Sequence, residues 1–120
     1  MSAKKAIDNF LGTGGAGRLN CAQAVSAVFM EKGLFSEEEF RALGDCGNGR
    51  APRGYCGSVY AAVRAIEKLD PMKVREFEEA FTERAGALEC RKIREAGKMK
   101  CRECVGMSAF FVEVFSGGIR

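Results

Sequence analysis

The chain has 120 residues, 47% of them hydrophobic, with 19 basic and 16 acidic side chains, a net charge of +3 and no histidine. That size suits one domain spanning residues 1–120, able to bury roughly two-thirds of its unfolded surface without covalent staples. The charge is too mild to argue for nucleic acid, no stretch reaches the roughly 18–20 apolar residues of a membrane span, and the lack of histidine excludes Ser-His and Cys-His pairs, Cys/His zinc fingers, Rieske centres and c-type haem attachment.

Glycine and proline punctuate the chain, and the segments between them read as helices. Residues 3–11 form a short helix that ends at Gly12, and the run from Gly12 to Gly17 is a loop, because each glycine opposes helix by about 1 kcal/mol. Asn20 is a good N-cap for a helix to about Lys32, with Val25, Val28 and Phe29 inward and Gly33 closing it. Ser36-Glu37-Glu38-Glu39 is a capping box ahead of Phe40 and Leu43. A second glycine-rich loop covers residues 44–55, followed by a helix over about 56–68 with Val59, Val63 and Ile66 on one face. Asp70-Pro71 starts the next helix, whose face is Val74, Phe77 and Phe81 and whose end is Gly86. A short helical segment, 88–96, carries Cys90 and Ile93.

The last helix runs from about 101 to 116, and Glu113 is the only charge between Val105 and Phe115. A helix apolar nearly all round is central or lies in a subunit interface, so a homodimer is expected. No strand alternation or repeat is visible. The expected fold class is all-α, a compact bundle of five to seven helices with two glycine-rich loops.

Six cysteines exceed what folding needs in a chain with this much core. The first residues, Met1 to Asp8, carry two lysines but no apolar run of signal-peptide length. The expected setting is therefore a reducing cytoplasm, where cysteines bind metal or cycle as redox groups more often than they form permanent disulfides; three disulfides remain an alternative. Cys21 follows the N-cap Asn20, Cys56 opens the helix after the second loop, Cys90 begins the short segment and Cys101 the last helix. Free N–H groups and the positive dipole end at a helix start favour a thiolate, the form that attacks disulfides and binds metal. Cysteines buried as small apolar residues are the plain alternative. Cys101 and Cys104 make one C-x-x-C pair, a spacing shared by metal sites and dithiol centres.

Between Arg91 and Arg102 lie Lys92, Arg94, Lys98 and Lys100, with Glu95 the only acid. With Arg50 and Arg53 these could offset several thiolates or dock an acidic redox partner protein; for the lysines a solvated face is the better account. The loop Gly47 to Gly54 lacks the Lys-Ser/Thr of a P-loop and follows no strand. Its glycines instead let backbone turn tightly and approach whatever Cys46 and Cys56 hold.

Asn20-Cys21-Ala22-Gln23-Ala24-Val25, the stretch from Gly49 through Tyr55-Cys56-Gly57-Ser58 to Ala62, Cys90-Arg91-Lys92-Ile93 and Cys101-Arg102-Glu103-Cys104-Val105 together resemble the C_GCAxxG_C_C family, to which redox activity is ascribed. The resemblance covers about residues 20–115 and implies a helical redox or cluster-binding domain whose four pattern cysteines are Cys21, Cys56, Cys90 and Cys101, with Cys46 and Cys104 as neighbours. A related domain occurs in split-Soret cytochromes, which implies an iron–sulfur cluster; this sequence has no haem-attachment motif, so the haem function does not carry over.

The expected function is a cysteine-based redox protein that binds an iron–sulfur cluster for electron transfer or redox sensing, drawing its ligands from Cys21, Cys46, Cys56, Cys90, Cys101 and Cys104. A metal-free thiol–disulfide protein, in which one of Cys101 and Cys104 attacks and the other resolves, is the first alternative. A structural zinc site held by thiolates is the second. No spacing of Asp and Glu singles out a hydrolase or transferase pair.

Overall fold

A computed structural model of the chain describes residues 2–13, 18–47 and 49–116. Gly14, Gly15, Ala16 and Gly17 of the first glycine-rich loop, and Asn48 of the second, lie outside the described residues. Among the described residues there are seven α-helices: α1 (Ser2–Leu11), α2 (Cys21–Met30), α3 (Glu37–Ala42), α4 (Gly57–Leu69), α5 (Val74–Ala85), α6 (Cys90–Ala96) and α7 (Cys101–Phe115). No strand is present among them, only an isolated antiparallel bridge between Tyr55 and Glu89, so the fold is the all-α bundle expected.

The caps explain most of the boundaries. Ser36 and Glu39 form the reciprocal capping box, with Ser36 N donating to Glu39 Oε1 at 2.8 Å and Glu39 N to Ser36 Oγ at 3.1 Å. Asp70-Pro71 does not open α5 directly. Asp70 caps a single 3₁₀ turn, Pro71–Lys73, and the α-helix starts behind it at Val74. Helix α2 stops at Met30 rather than near Lys32, because Lys32, Gly33 and Leu34 donate back to carbonyls of Phe29 and Met30 in tight turns. Two more 3₁₀ turns, Leu43–Asp45 and Pro52–Gly54, give the second loop its shape.

Helix α7 is the central element. It packs against α1, α2, α4 and α5, and its Val105, Ala109 and Val112 are fully buried. The core also includes Val25 and Phe29 of α2, Val59 and Ile66 of α4, and Phe77 and Phe81 of α5, with the Phe77 ring meeting Phe111 edge-on at 5.6 Å between centroids. Burial inside the chain thus accounts for most of the apolar surface of α7, and its exposed apolar residues are Phe110 and Val114. No described helix is long and apolar enough to cross a membrane.

Asn20 joins two parts of this scaffold. Its Oδ1 accepts from Gln23 N at 2.7 Å, capping α2, while its Nδ2 donates to Leu43 O at 2.9 Å and Gly44 O at 3.1 Å. Asn20→Ala therefore removes a cap and the tie to the loop that carries Cys46. The expected loss is about 1–3 kcal/mol of stability in thermal unfolding, with faster amide exchange over residues 43–47. Asn20→Asp, which keeps the cap acceptor and loses the amide donor, falls between the two.

Candidate functional site: a buried thiol cluster

Four helix starts deliver sulfur to one end of the bundle. Cys21, Cys90 and Cys101 are the first residues of α2, α6 and α7, and Cys56 is the N-cap residue of α4. The Cys56 segment is anchored beside the start of α6, since Cys56 N donates to Leu88 O at 2.8 Å and Tyr55 bridges to Glu89. Cys104 arrives one turn into α7. All six cysteines are free thiols: Cys101 is exposed, Cys21, Cys46 and Cys90 are half-buried, and Cys56 and Cys104 are buried.

The innermost part is a trio. The Cys104 and Cys21 thiols both lie within hydrogen-bond reach of the Cys56 sulfur, and the Ser58 hydroxyl is 3.0 Å from it. Ser108 of α7 donates to Ser58 Oγ at 3.2 Å, and both serines are fully buried. Two backbone N–H groups at the start of α4, of Gly57 and Ser58, face the Cys21 sulfur. Cys56 therefore has the hydrogen-bond environment of an anion.

The electrostatics follow from this geometry. Cys104 and Cys21, donating to it, hold the Cys56 thiol well below the ordinary range despite its burial. The same contacts act in reverse on the donors: proximity to Cys56, then burial, pushes Cys21 and Cys104 far up. Burial raises Cys90 and Cys46, helped at Cys46 by the Asp45 charge. A helix start at each cysteine was expected to favour several thiolates. Within the trio only Cys56 is favoured as a thiolate, because neighbouring sulfurs in a shared, water-poor site cannot all ionise cheaply.

Arg94 is the member of the basic run that serves the site. It hydrogen-bonds to the Cys101 sulfur, and its charge partly offsets the effect of burial on Cys90. By contrast Arg91 pairs with Glu95 at 3.6 Å and Lys92 with Glu89 at 3.4 Å on the solvent side. Between these residues, Gly49, Gly54 and Cys90 lies a cleft of about 630 Å³.

Glycine at position 57 makes the close approach possible. A Cβ there would sit 2.5 Å from Cys21 Sγ and 2.7 Å from Cys46 O, so α4, α2 and the Cys46 loop meet only where no side chain stands. Cys46 enters the site through this backbone contact. Cys104, which the four-cysteine pattern leaves out, lies beside Cys56. Ser58 and Ser108 were not foreseen either. The available signals were a hydroxyl two residues after Cys56 and a lone serine in the apolar run of α7.

Thiol ionisation sets an alkaline limit on the reduced protein. Groups raised in the fold (Cys21, Cys104, Cys90 and Cys46) keep their protons where their unfolded counterparts, with ordinary values near 9.0, lose them. The native state then binds more protons than the unfolded one, so stability falls as pH rises. Cys56, depressed in the fold, works the other way: its contribution is present above 9.0 and lost as pH falls toward its folded value. The four outweigh the one, and the melting temperature of the reduced protein is expected to drop steeply between about pH 8.5 and 10. A flat melting profile over that interval would contradict protonated Cys21 and Cys104.

The sulfur-only donor set suits iron–sulfur chemistry. Its arrangement is another matter: among the described residues no group of three or more Cys, Asp or Glu side chains is disposed to hold a metal ion, and the inner sulfurs are hydrogen-bonded to one another.

Residues 19–115 match the model of a family described as "Putative redox-active protein (C_GCAxxG_C_C)". No match is found among curated proteins or among solved structures. With the family match running from just before Cys21 to the end of α7, the chain belongs to the C_GCAxxG_C_C family.

Proposed function

We propose that the protein works by thiol–disulfide exchange, with Cys21 and Cys56 as its dithiol couple and Cys104 as a third sulfur in exchange with them. One observation carries the reading: the Cys104 and Cys21 thiols flank the Cys56 sulfur, so a nucleophile and its partners already face each other. With an external disulfide as acceptor, the Cys21–Cys56 bond forms, the external S–S bond breaks, and the Cys21 proton with one from solvent ends on the two released thiols. The buried Ser108–Ser58 pair holds the Cys56 sulfur in place, and α4 supplies N–H groups to Cys21. A reducing cytoplasm suits six free thiols, and the exposed Phe110 and Val114 of α7 suit a homodimer contact.

The test is stepwise oxidation of the reduced protein with oxidised glutathione, followed by peptide mapping. A Cys21–Cys56 disulfide and a reversible two-electron couple are expected. Absence of any disulfide within Cys21, Cys56 and Cys104 would end the reading.

The sulfur-only donor set favours a second reading, an iron–sulfur centre held by Cys21, Cys56, Cys90 and Cys101, after the hydrogen-bonded sulfurs separate. Such a cluster would supply one-electron transfer. Arg94 would offset its negative charge, Ser58 would donate to a ligand sulfur, and a redox partner protein of acidic character would meet the basic rim of the cleft. Iron and sulfide analysis with an absorption spectrum on anaerobically purified protein decides: iron, sulfide and visible colour put the cluster first. A colourless protein containing zinc that unfolds on chelation would point to the structural-metal alternative.

A further inference from the structure

Exposure across the thiol cluster has a direction. Cys101 is the one exposed cysteine of the six, and the Arg94 guanidinium hydrogen-bonds to its sulfur. Three residues on, one turn along α7, Cys104 is 1% exposed and faces Cys56. Residues three apart on a helix are neighbours. Cys56 in turn is 8% exposed and faces Cys21. Cys101, Cys104 and Cys56 thus run from an exposed sulfur to two buried ones, with the half-buried Cys21 beside Cys56, and the buried nucleophile is too enclosed to meet a bulky disulfide itself.

We propose that Cys101 is the surface sulfur that reacts with an external disulfide, and that Cys104 carries the disulfide bond inward to Cys56. This rests on the thiol–disulfide reading above. Cys101 attacks one sulfur of the external disulfide; a mixed disulfide forms, and the first external sulfur leaves with the Cys101 proton. Cys104 then attacks the Cys101 sulfur, the bond to the external group breaks, and the second external thiolate leaves. Cys56 attacks Cys104 and frees Cys101; Cys21 attacks Cys56 and frees Cys104. The sum is one external disulfide reduced to two thiols and one Cys21–Cys56 disulfide formed, with the Cys21 proton and one from solvent taken up by the products.

The experiment follows reduced full-length protein reacting with oxidised glutathione, quenched in acid at intervals and mapped by mass spectrometry. In the wild type the earliest glutathione adduct is expected on Cys101 and the final disulfide at Cys21–Cys56. Cys101→Ser should slow the overall reaction by about tenfold or more, while diamide, a small diffusible oxidant, still produces the Cys21–Cys56 bond. Cys104→Ser, with Cys104→Ala as a second variant should serine disturb the core, should let the Cys101 adduct accumulate. A Cys101→Ser protein that reacts at the wild-type rate and still ends at Cys21–Cys56 overturns the surface role of Cys101 and leaves the exchange reading standing. Failure of every variant and of the wild type to form Cys21–Cys56, even with diamide, overturns the exchange reading itself.

Discussion

Cys56→Ser is expected to abolish the two-electron couple and, at the same time, to bring the Cys21 and Cys104 thiols back toward ordinary acidity. Both effects come from one position. The largest influence raising Cys21 and Cys104 is their hydrogen bonding to Cys56, ahead of burial. A serine hydroxyl does not ionise near neutrality, so neither neighbour has an anion to donate to or to be repelled by. In the wild type, thiolate absorbance in the ultraviolet should show one early-titrating group and two very late ones. In the variant the early group is missing and the two late ones move down, held up only by the desolvation that remains. Because the three sulfurs titrate as a set, the whole profile must be compared rather than a single midpoint. Cys56→Ala serves as a check that the hydroxyl itself is not responsible. A variant that keeps a reversible couple at unchanged potential would remove Cys56 from the centre of the chemistry.

The helices were legible because local chemistry decides them. Asn20 and Ser36 are capping residues that cap, Gly33 and Gly86 follow helices that end, and Phe77, Phe81, Val59 and Ile66 repeat at helical spacing and are buried. The site was legible only in part. Helix-start position and family pattern both pick out Cys21, Cys56, Cys90 and Cys101, and those positions do stand at helix starts. What spacing cannot show is which sulfurs touch. Cys56 and Cys104 are far apart in sequence and meet because α4 and α7 pack together, a result of the whole core rather than of any motif. The same holds for Ser58 and Ser108, which are separated by 50 residues and hydrogen-bonded. Competition for ionisation is hidden for a related reason: each helix start taken alone favours a thiolate, and only the assembled cluster places the sulfurs of Cys21, Cys56 and Cys104 against one another.

Gly57→Ala separates these two levels most sharply, since local and tertiary terms have opposite signs there. Alanine is the better helix former by up to about 1 kcal/mol, so propensity alone predicts a more stable protein. The added Cβ, however, would meet Cys21 Sγ at 2.5 Å, Cys46 O at 2.7 Å and Ala22 N at 3.1 Å. Two of those atoms are backbone and cannot rotate aside, so α2 or the Cys46 loop must move away from α4. Overpacking of this kind typically costs about 1–3 kcal/mol, occasionally more, which exceeds the propensity gain. Gly106 provides the contrast within the same chain. A Cβ there meets chiefly Ile7 Cδ1 at 2.7 Å, the far end of a side chain that can adopt another rotamer, so Gly106→Ala should be close to neutral or mildly stabilising. The expected result is a marked fall in melting temperature for Gly57→Ala and little change for Gly106→Ala. The redox readout should split the same way. Moving Cys21 away from Cys56 weakens the hydrogen bond that holds the thiolate, so Gly57→Ala should slow Cys21–Cys56 disulfide formation even at temperatures where the protein is fully folded. Gly106→Ala should leave that rate alone. If Gly57→Ala instead stabilises the protein and leaves disulfide formation at the wild-type rate, then the close seating of Cys21 and Cys46 on the start of α4 is not what holds the thiol cluster together.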